Sequence, residues 1–311
     1  MIWLVGSGEM STAYSKVLEA LDVNYSVIGR GTESAKSFEQ KTGKPVFVGG
    51  LKKAISEGLP LPDKAIVSVG VEHLYSTTKQ LLECGVRYIL VEKPGGLTHQ
   101  EVEDLAQKSE AIGGNVFIAY NRRFYSSVLA AKELIRSEGG VKSFAFELTE
   151  WAHVIGKLDK PREVLEKWFL ANSTHVSDMA FFLGGKPKEI ASFSSGSLEW
   201  HPSASIFSGA GVSESGAVFS YSANWESAGR WGVEILTSEN RYVFRPMESL
   251  QVQKKGSIQV TEVEVDNRLD VEFKPGLYKQ VSAFVTGDFL DLCSIQEQRE
   301  IFEVYEKMAS Y

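Results

Sequence analysis

Cysteine is scarce in this 311-residue chain: only Cys84 and Cys293 occur, and they form no CxxC pair. That scarcity argues against a disulfide-stapled secreted fold and against a thiolate metal site, and makes a reducing cytoplasm the expected compartment. The five histidines, His73, His99, His153, His175 and His201, show no HxH or HExxH spacing. Neither GxSxG nor a P-loop pattern is present, so metal-assisted hydrolysis, acyl transfer at a nucleophile elbow and P-loop phosphoryl transfer lack their usual residues. No run approaches the roughly 18 apolar residues of a membrane span. The opening MIWLVGSG is apolar for five residues without a basic flank, which fits neither a signal peptide nor an anchor. Positive charge is in deficit as well: 33 Lys and Arg against 40 Asp and Glu give a net charge of -7. Nucleic acid asks for basic patches, so small molecules are the expected partners.

What remains is an ordinary globular composition, 43% hydrophobic and 23% charged. The length exceeds that of most single cores, so two domains are expected, at 1–119 and 120–311. In the first, the short runs IWLV (2–5), YSVIG (25–29), PVFV (45–48), KAIVSVG (64–70), RYILVE (87–92) and NVFIAY (115–120) read as strands. Helical stretches separate them; in one, Val102, Leu105, Ala106, Ser109 and Ile112 recur at helical spacing until Gly113. Strands alternating with helices imply a parallel, doubly wound α/β sheet of the Rossmann kind. Beyond residue 120, SSVLAAKELIRSEGG and THVSDMAFFLGG read as helices flanking a strand at 143–150. Alternating runs such as GAVFSYSANWE, WGVEILTS and IQVTEVEV follow, joined by turns, and the tail from Tyr278 returns to helix. That pattern predicts an α+β domain with a largely antiparallel open sheet.

Three short stretches carry the chemistry. In VGSGEMST, Gly6 and Gly8 occupy the first two glycine places of GxGxxG and Ser11 the third. The first glycine permits a tight turn, the second a close backbone approach to a pyrophosphate seated on the helix N-terminus. In VIGRGTES, the end of the second strand offers Arg30, Thr32 and Ser34 where an NAD site usually places an acid for the ribose hydroxyl; the first carboxylate is Glu33. An arginine with two hydroxyls suits a 2'-phosphate, which predicts NADP, with NAD as the alternative. In ILVEKPGG, Lys93 ends the fifth strand, at the sheet edge where doubly wound folds bind ligands.

Together with YNRRF at 120–124 and STHVSDMAFFLGG at 173–185, these stretches resemble the glucose-fructose oxidoreductase, inositol dehydrogenase and MocA family of NAD(P)-dependent oxidoreductases. The resemblance runs over nearly the whole chain, and the Glu-Lys-Pro tripeptide at 92–94 is its most specific part. It implies catalytic roles for Lys93 and His175, and adds Glu9, Met10, His73 and Glu92 to the cofactor side. The family often carries an aspartate four residues before that histidine; here the position is Ala171, followed by Asn172. SVGVEH before His73 also departs from the more usual TPNH. Asp178 reads first as structural.

Histidine, with a reference pKa of about 6.5, can take or return a hydroxyl proton near neutral pH. A lysine at the reacting oxygen stabilises developing negative charge. Arg122, Arg123, Asn172 and Trp168 are candidate substrate contacts, a flat indole suiting the face of a sugar ring, although tryptophans more often fill sheet cores and interfaces. The expected activity is hydride transfer between NADP and a secondary alcohol or ketone of a sugar, nucleotide-sugar or cyclitol. A dinucleotide-binding sensor or scaffold without catalysis and a reductase of a non-carbohydrate carbonyl or imine stay open. The resemblance further implies a homodimer or homotetramer through the second domain's sheet.

Overall fold

A computed structural model describes residues 1–311. Contacts divide the chain into two compact units, Met1–Ala119 with Val271–Glu300, and Tyr120–Asp270 with Ile301–Tyr311. No helix is long and apolar enough to cross a membrane.

In the first unit, β1 (Ile2–Val5), β2 (Tyr25–Gly29), β3 (Val46–Val48), β4 (Lys64–Val67), β5 (Tyr88–Val91) and β6 (Asn115–Ile118) lie parallel in the order β6-β5-β4-β1-β2-β3. The middle strands are apolar runs because helices cover both faces of such a sheet; all four residues of β1 are buried. The helix His99–Ala111 shows how local sequence sets an element. Thr98 caps it by accepting from the Glu101 backbone N–H at 3.2 Å, Glu101 accepts from Leu97 N at 2.7 Å, and Val102, Leu105, Ala106 and Ser109 form the buried face. Strand order reverses between β1 and β4, which opens a crevice at their carboxyl ends.

The second unit contains β7 (Ser143–Glu147), β8 (Pro187–Ser195), β9 (Ile206–Ser213), β10 (Val218–Asn224), β11 (Gly232–Leu236), β12 (Asn240–Phe244), β13 (Gln251–Lys254) and β14 (Val260–Glu262). They form one sheet in the order β14-β13-β12-β11-β7-β10-β9-β8, antiparallel except for β7 with β10. One face is aromatic: Phe144 stacks on Phe219 at 5.0 Å and Phe146 on Tyr221 at 5.5 Å. Phe181, from the helix Thr174–Gly184, sets its edge on Phe146 and Phe219 at 5.5 and 5.4 Å. That helix is buried nearly all round, as its lack of a polar stripe requires. β9 is a strand the sequence did not announce, since IFSGAGVS lacks the alternation that marks the other runs. Its glycines have a packing reason: a Cβ at Gly211 would come 2.1 Å from the Glu189 carbonyl oxygen and 2.6 Å from the Phe219 ring.

The return segment corrects the expected boundary of a second domain running unbroken over 120–311. β15 (Cys293–Ser294) adds antiparallel to β6 at the edge of the first sheet. Phe117 lies 6.3 Å from Phe284 and 4.7 Å from Phe289, while the Lys64 amine donates to the carbonyls of Phe284 and Val285 at 2.8 and 2.7 Å. A cation on last-turn carbonyls neutralises the negative end of the helix Leu277–Thr286, so residues 271–300 belong to the first core.

Within the second unit a relay fixes the final residue. Phe169 N donates to the Tyr311 hydroxyl at 3.2 Å, that hydroxyl donates to His201 Nε2 at 2.5 Å, and His201 Nδ1 donates to the Ala204 carbonyl at 2.6 Å. Burial lowers the His201 pKa below its ordinary value. The unfolded chain therefore binds more protons than the native one as pH falls below about 6.5, and stability declines with it. The melting temperature should drop on acidification from about pH 7 to about pH 5.5, and less so in His201→Gln. Parallel pH profiles for the two proteins would contradict this account.

Candidate functional site

The crevice of the first unit begins at Gly6, whose φ of +126° is one that side-chain-bearing residues rarely adopt. A Cβ there would lie 2.4 Å from the Ser68 carbonyl oxygen, so β1 and the chain after β4 can close only around a bare backbone. Ser11, at the third glycine place, is buried with its hydroxyl 2.7 Å from that of Ser68. Gly8, at the N-terminus of the helix Glu9–Ala20, is different: an added Cβ would meet nothing within 4 Å. Space therefore stands directly over the free N–H groups of the first turn, as an anion cradle requires.

A cavity of about 470 Å³ extends from this cradle past the end of β2. Its wall includes Gly6, Ser7, Gly8, Arg30, Ser34 and His73. Arg30 Nη1 donates to His73 Nε2 at 2.8 Å, which fixes the imidazole as acceptor at that nitrogen, and Ser7 donates to Ser34 at 3.0 Å. Lys52 adds a second cation; Glu72, 3.6 Å from His73 Nε2, is the one carboxylate in the wall. No acid follows β2 until Glu33, which is exposed and pairs with Lys36 at 3.4 Å.

Five of the nine expected cofactor contacts thus share one wall: Gly6, Gly8, Arg30, Ser34 and His73. The other four stand outside it. Glu9 turns outward to Lys41, and neither Met10 nor the exposed Thr32 lines the cavity. Glu92 accepts from the Tyr14 hydroxyl at 2.8 Å; desolvation raises its pKa, opposed by Tyr14, Lys93 and Lys274. That bond holds the helix Glu9–Ala20 against the end of β5. Lys93 follows it on the same turn, and the buried Gln298 steadies that turn by donating to the Pro94 carbonyl at 3.0 Å.

In the second unit His175 opens the helix Thr174–Gly184 and is only 8% exposed, its ring 6.0 Å from Tyr120 and 6.3 Å from Trp231. Arg123 grips Asp178, with Nε donating to both carboxylate oxygens at 3.1 and 2.9 Å, so its fork is engaged within the fold. Trp168 is also a core residue, meeting Trp200 edge-on at 6.4 Å. Ala171 lies in a π-helical turn, Phe169–Ser173, and is buried. Beside it stands a carboxylate that sequence reasoning missed. Glu150, 2% exposed, accepts from Asn172 Nδ2 and Ser173 Oγ, both at 2.8 Å. Arg122 lies over Trp231, its guanidinium carbon 4.8 Å from the ring. Ser7, Lys52, Glu150, Arg230 and Gln298 were all missed; only Ser7, inside the glycine motif, carried a local signal. No cluster of His, Cys, Asp and Glu could hold a metal ion.

No protein-family model and no curated protein sequence matches the chain. Solved structures do match in fold. UDP-N-acetylglucosamine 3-dehydrogenase from Acidithiobacillus ferrooxidans is 14% identical with a TM-score of 0.77, over 99% of this chain and 96% of that one. Levoglucosan dehydrogenase, in complex with NADH and levoglucosan, is 18% identical with a TM-score of 0.79 over the same shares. An NAD binding oxidoreductase from Klebsiella pneumoniae is 16% identical with a TM-score of 0.80, again over 99% and 96%. At these identities the likeness is one of fold, an α/β unit with a parallel sheet and a second unit with a largely antiparallel one.

Two substitutions separate structure from binding. Gly8→Val should leave the melting temperature within a few degrees while abolishing dinucleotide binding in calorimetry, because the added side chain fills the cradle and nothing else. Arg123→Gln should cost about 3–5 kcal/mol in urea unfolding, the penalty for leaving a buried charge unpaired. A fully stable Arg123→Gln with impaired binding would return Arg123 to the substrate contacts.

Proposed function

We propose that the chain is an NADP-preferring oxidoreductase acting on a secondary alcohol or ketone of a sugar-like substrate. The observation that carries the reading is the cavity over Gly8, which joins an open helix N-terminus to the Arg30–His73 pair with no acid at the end of β2. Backbone N–H groups at Gly8 and beyond would hold the pyrophosphate, and Arg30, Ser7 and Ser34 the 2'-phosphate, by charge-assisted hydrogen bonds. When bound, NADP supplies or accepts the hydride.

The chain's own residues do the rest. The Lys93 amine donates to the reacting oxygen and stabilises the negative charge that develops there. The His175 imidazole is suited to take a hydroxyl proton in oxidation and to return one in reduction. The fold neighbours that act on a UDP-sugar and on levoglucosan support a sugar-like substrate. Two neighbours are described with NADH or NAD, so the preference for NADP rests on Arg30 and the missing acid in this chain.

Titration should show Arg30→Ala weakening NADPH by at least about tenfold while NADH changes by less than about twofold, since the lost bonds are to the phosphate alone. Equal weakening of both would reject the cofactor assignment. With NADPH and a panel of keto-sugars, consumption of reduced nicotinamide should fall about 10²–10⁴-fold in Lys93→Ala and in His175→Asn, with cofactor affinity retained. Cofactor binding without turnover across the panel would favour a sensor.

A further inference from the structure

Five side chains of the second unit alternate in a stack: Tyr125, Arg122, Trp231, Arg230 and Trp151. The guanidinium carbon of Arg122 lies 5.8 Å from the Tyr125 ring and 4.8 Å from the Trp231 ring. That of Arg230 lies 4.5 Å from Trp231 and 4.8 Å from Trp151. Aromatic faces attract a guanidinium through the ring quadrupole and leave its N–H donors free, because those donors lie in the guanidinium plane. Two donors here are buried without a partner, Arg122 Nε and Trp231 Nε1. Groups of this kind are costly to bury unmatched, and in native structures they are nearly always satisfied.

The neighbouring acids do not satisfy them. Glu150 engages Asn172 and Ser173 with one oxygen, and its other oxygen stands 3.7 Å from Arg230 Nη1. Glu248 is exposed and reaches Arg122 and Tyr125 through its electrostatic field alone. The stack also adjoins the candidate proton-transfer residue, since the Trp231 and His175 rings are 6.3 Å apart.

We infer that Arg122, Trp231 and Arg230 form an anion subsite, and that the substrate is an acidic sugar whose carboxylate or phosphate accepts from Arg122 and Trp231. Placing that anion on the substrate rests on the oxidoreductase reading; anion binding itself does not. A planar fork suits either oxyanion, and the buried rings of Tyr125 and Trp231 shield a contact at Arg122 from the water that would screen it.

The test uses the full chain, with tryptophan fluorescence and calorimetry reporting binding of D-glucuronate, glucose 6-phosphate and D-glucose. One of the acids should bind at least about tenfold more tightly than glucose, and should lose about tenfold or more in Arg122→Gln and in Arg230→Gln. Preference for glucuronate names a carboxylate and preference for the phosphate a phosphorylated sugar; either supports the subsite. Equal binding of all three probes, or acid binding undiminished in both variants, would overturn it. Arg230 is 48% exposed, so Arg230→Gln carries the test if Arg122→Gln does not fold. NADPH is titrated in parallel: its failure to bind, with selective acid binding intact, would remove the oxidoreductase reading and leave the subsite standing.

Discussion

The Arg123–Asp178 pair is the constraint on which the second unit's chemistry depends. It joins the short turn Asn121–Phe124 to the helix Thr174–Gly184, with side chains only 5% and 2% exposed. A forked guanidinium on a carboxylate fixes orientation as well as distance, and Phe182 lies 5.0 Å from the guanidinium carbon. Two side chains of the proposed site inherit their placement from this clamp. His175 lies three residues before Asp178 on the same helix, and Arg122 immediately precedes Arg123. The pair therefore holds the imidazole while its neighbour Arg122 is carried onto the face of Trp231.

Position 171 shows why counting along a sequence can mislead. Four residues before His175 would be one helical turn away in an α-helix, and Ala171 there reads as a missing acid. The π-turn Phe169–Ser173 inserts extra backbone into that turn, which shifts every side chain before the histidine around the axis. A carboxylate does stand beside the segment, but Glu150 brings it from the chain after β7, and Asn172 and Ser173 are the residues that bind it. An acid absent from one element is thus accompanied by one from another.

What the sequence disclosed followed the range of the interaction. β1 and β5 were legible because a strand buried on both faces must be an uninterrupted apolar run, and the helix His99–Ala111 because its cap and stripe are local. The glycine cradle was legible because Gly6 and Gly8 answer two different demands within three residues. β9 was hidden since its glycines serve rings on β10, and β15 since two residues carry no period. The Arg30–His73 bond spans 43 positions and leaves no mark on either local segment. Thr32 was named for a hydroxyl suited to a phosphate and Glu9 through the resemblance, but a helix turns successive side chains through about 100°, and neither side chain lines the cavity.

Arg122 and Arg123 put the division between folding and binding into adjacent residues. Arg123 has its acceptors inside the protein, so its charge is neutralised when the chain folds. Arg122 has rings instead of acceptors, and desolvation pulls its pKa below the ordinary guanidinium value. Stacking offsets part of that cost but cannot fill the donors, so the native state keeps hydrogen-bonding capacity that only an incoming acceptor can use. Such a site couples occupancy to stability, because a ligand that binds only the folded chain raises its stability with the logarithm of ligand concentration. The adjacent clamp keeps this coupling local: with Arg123 already satisfied, an anion at Arg122 can relieve the unmatched donors without disturbing the helix that carries His175.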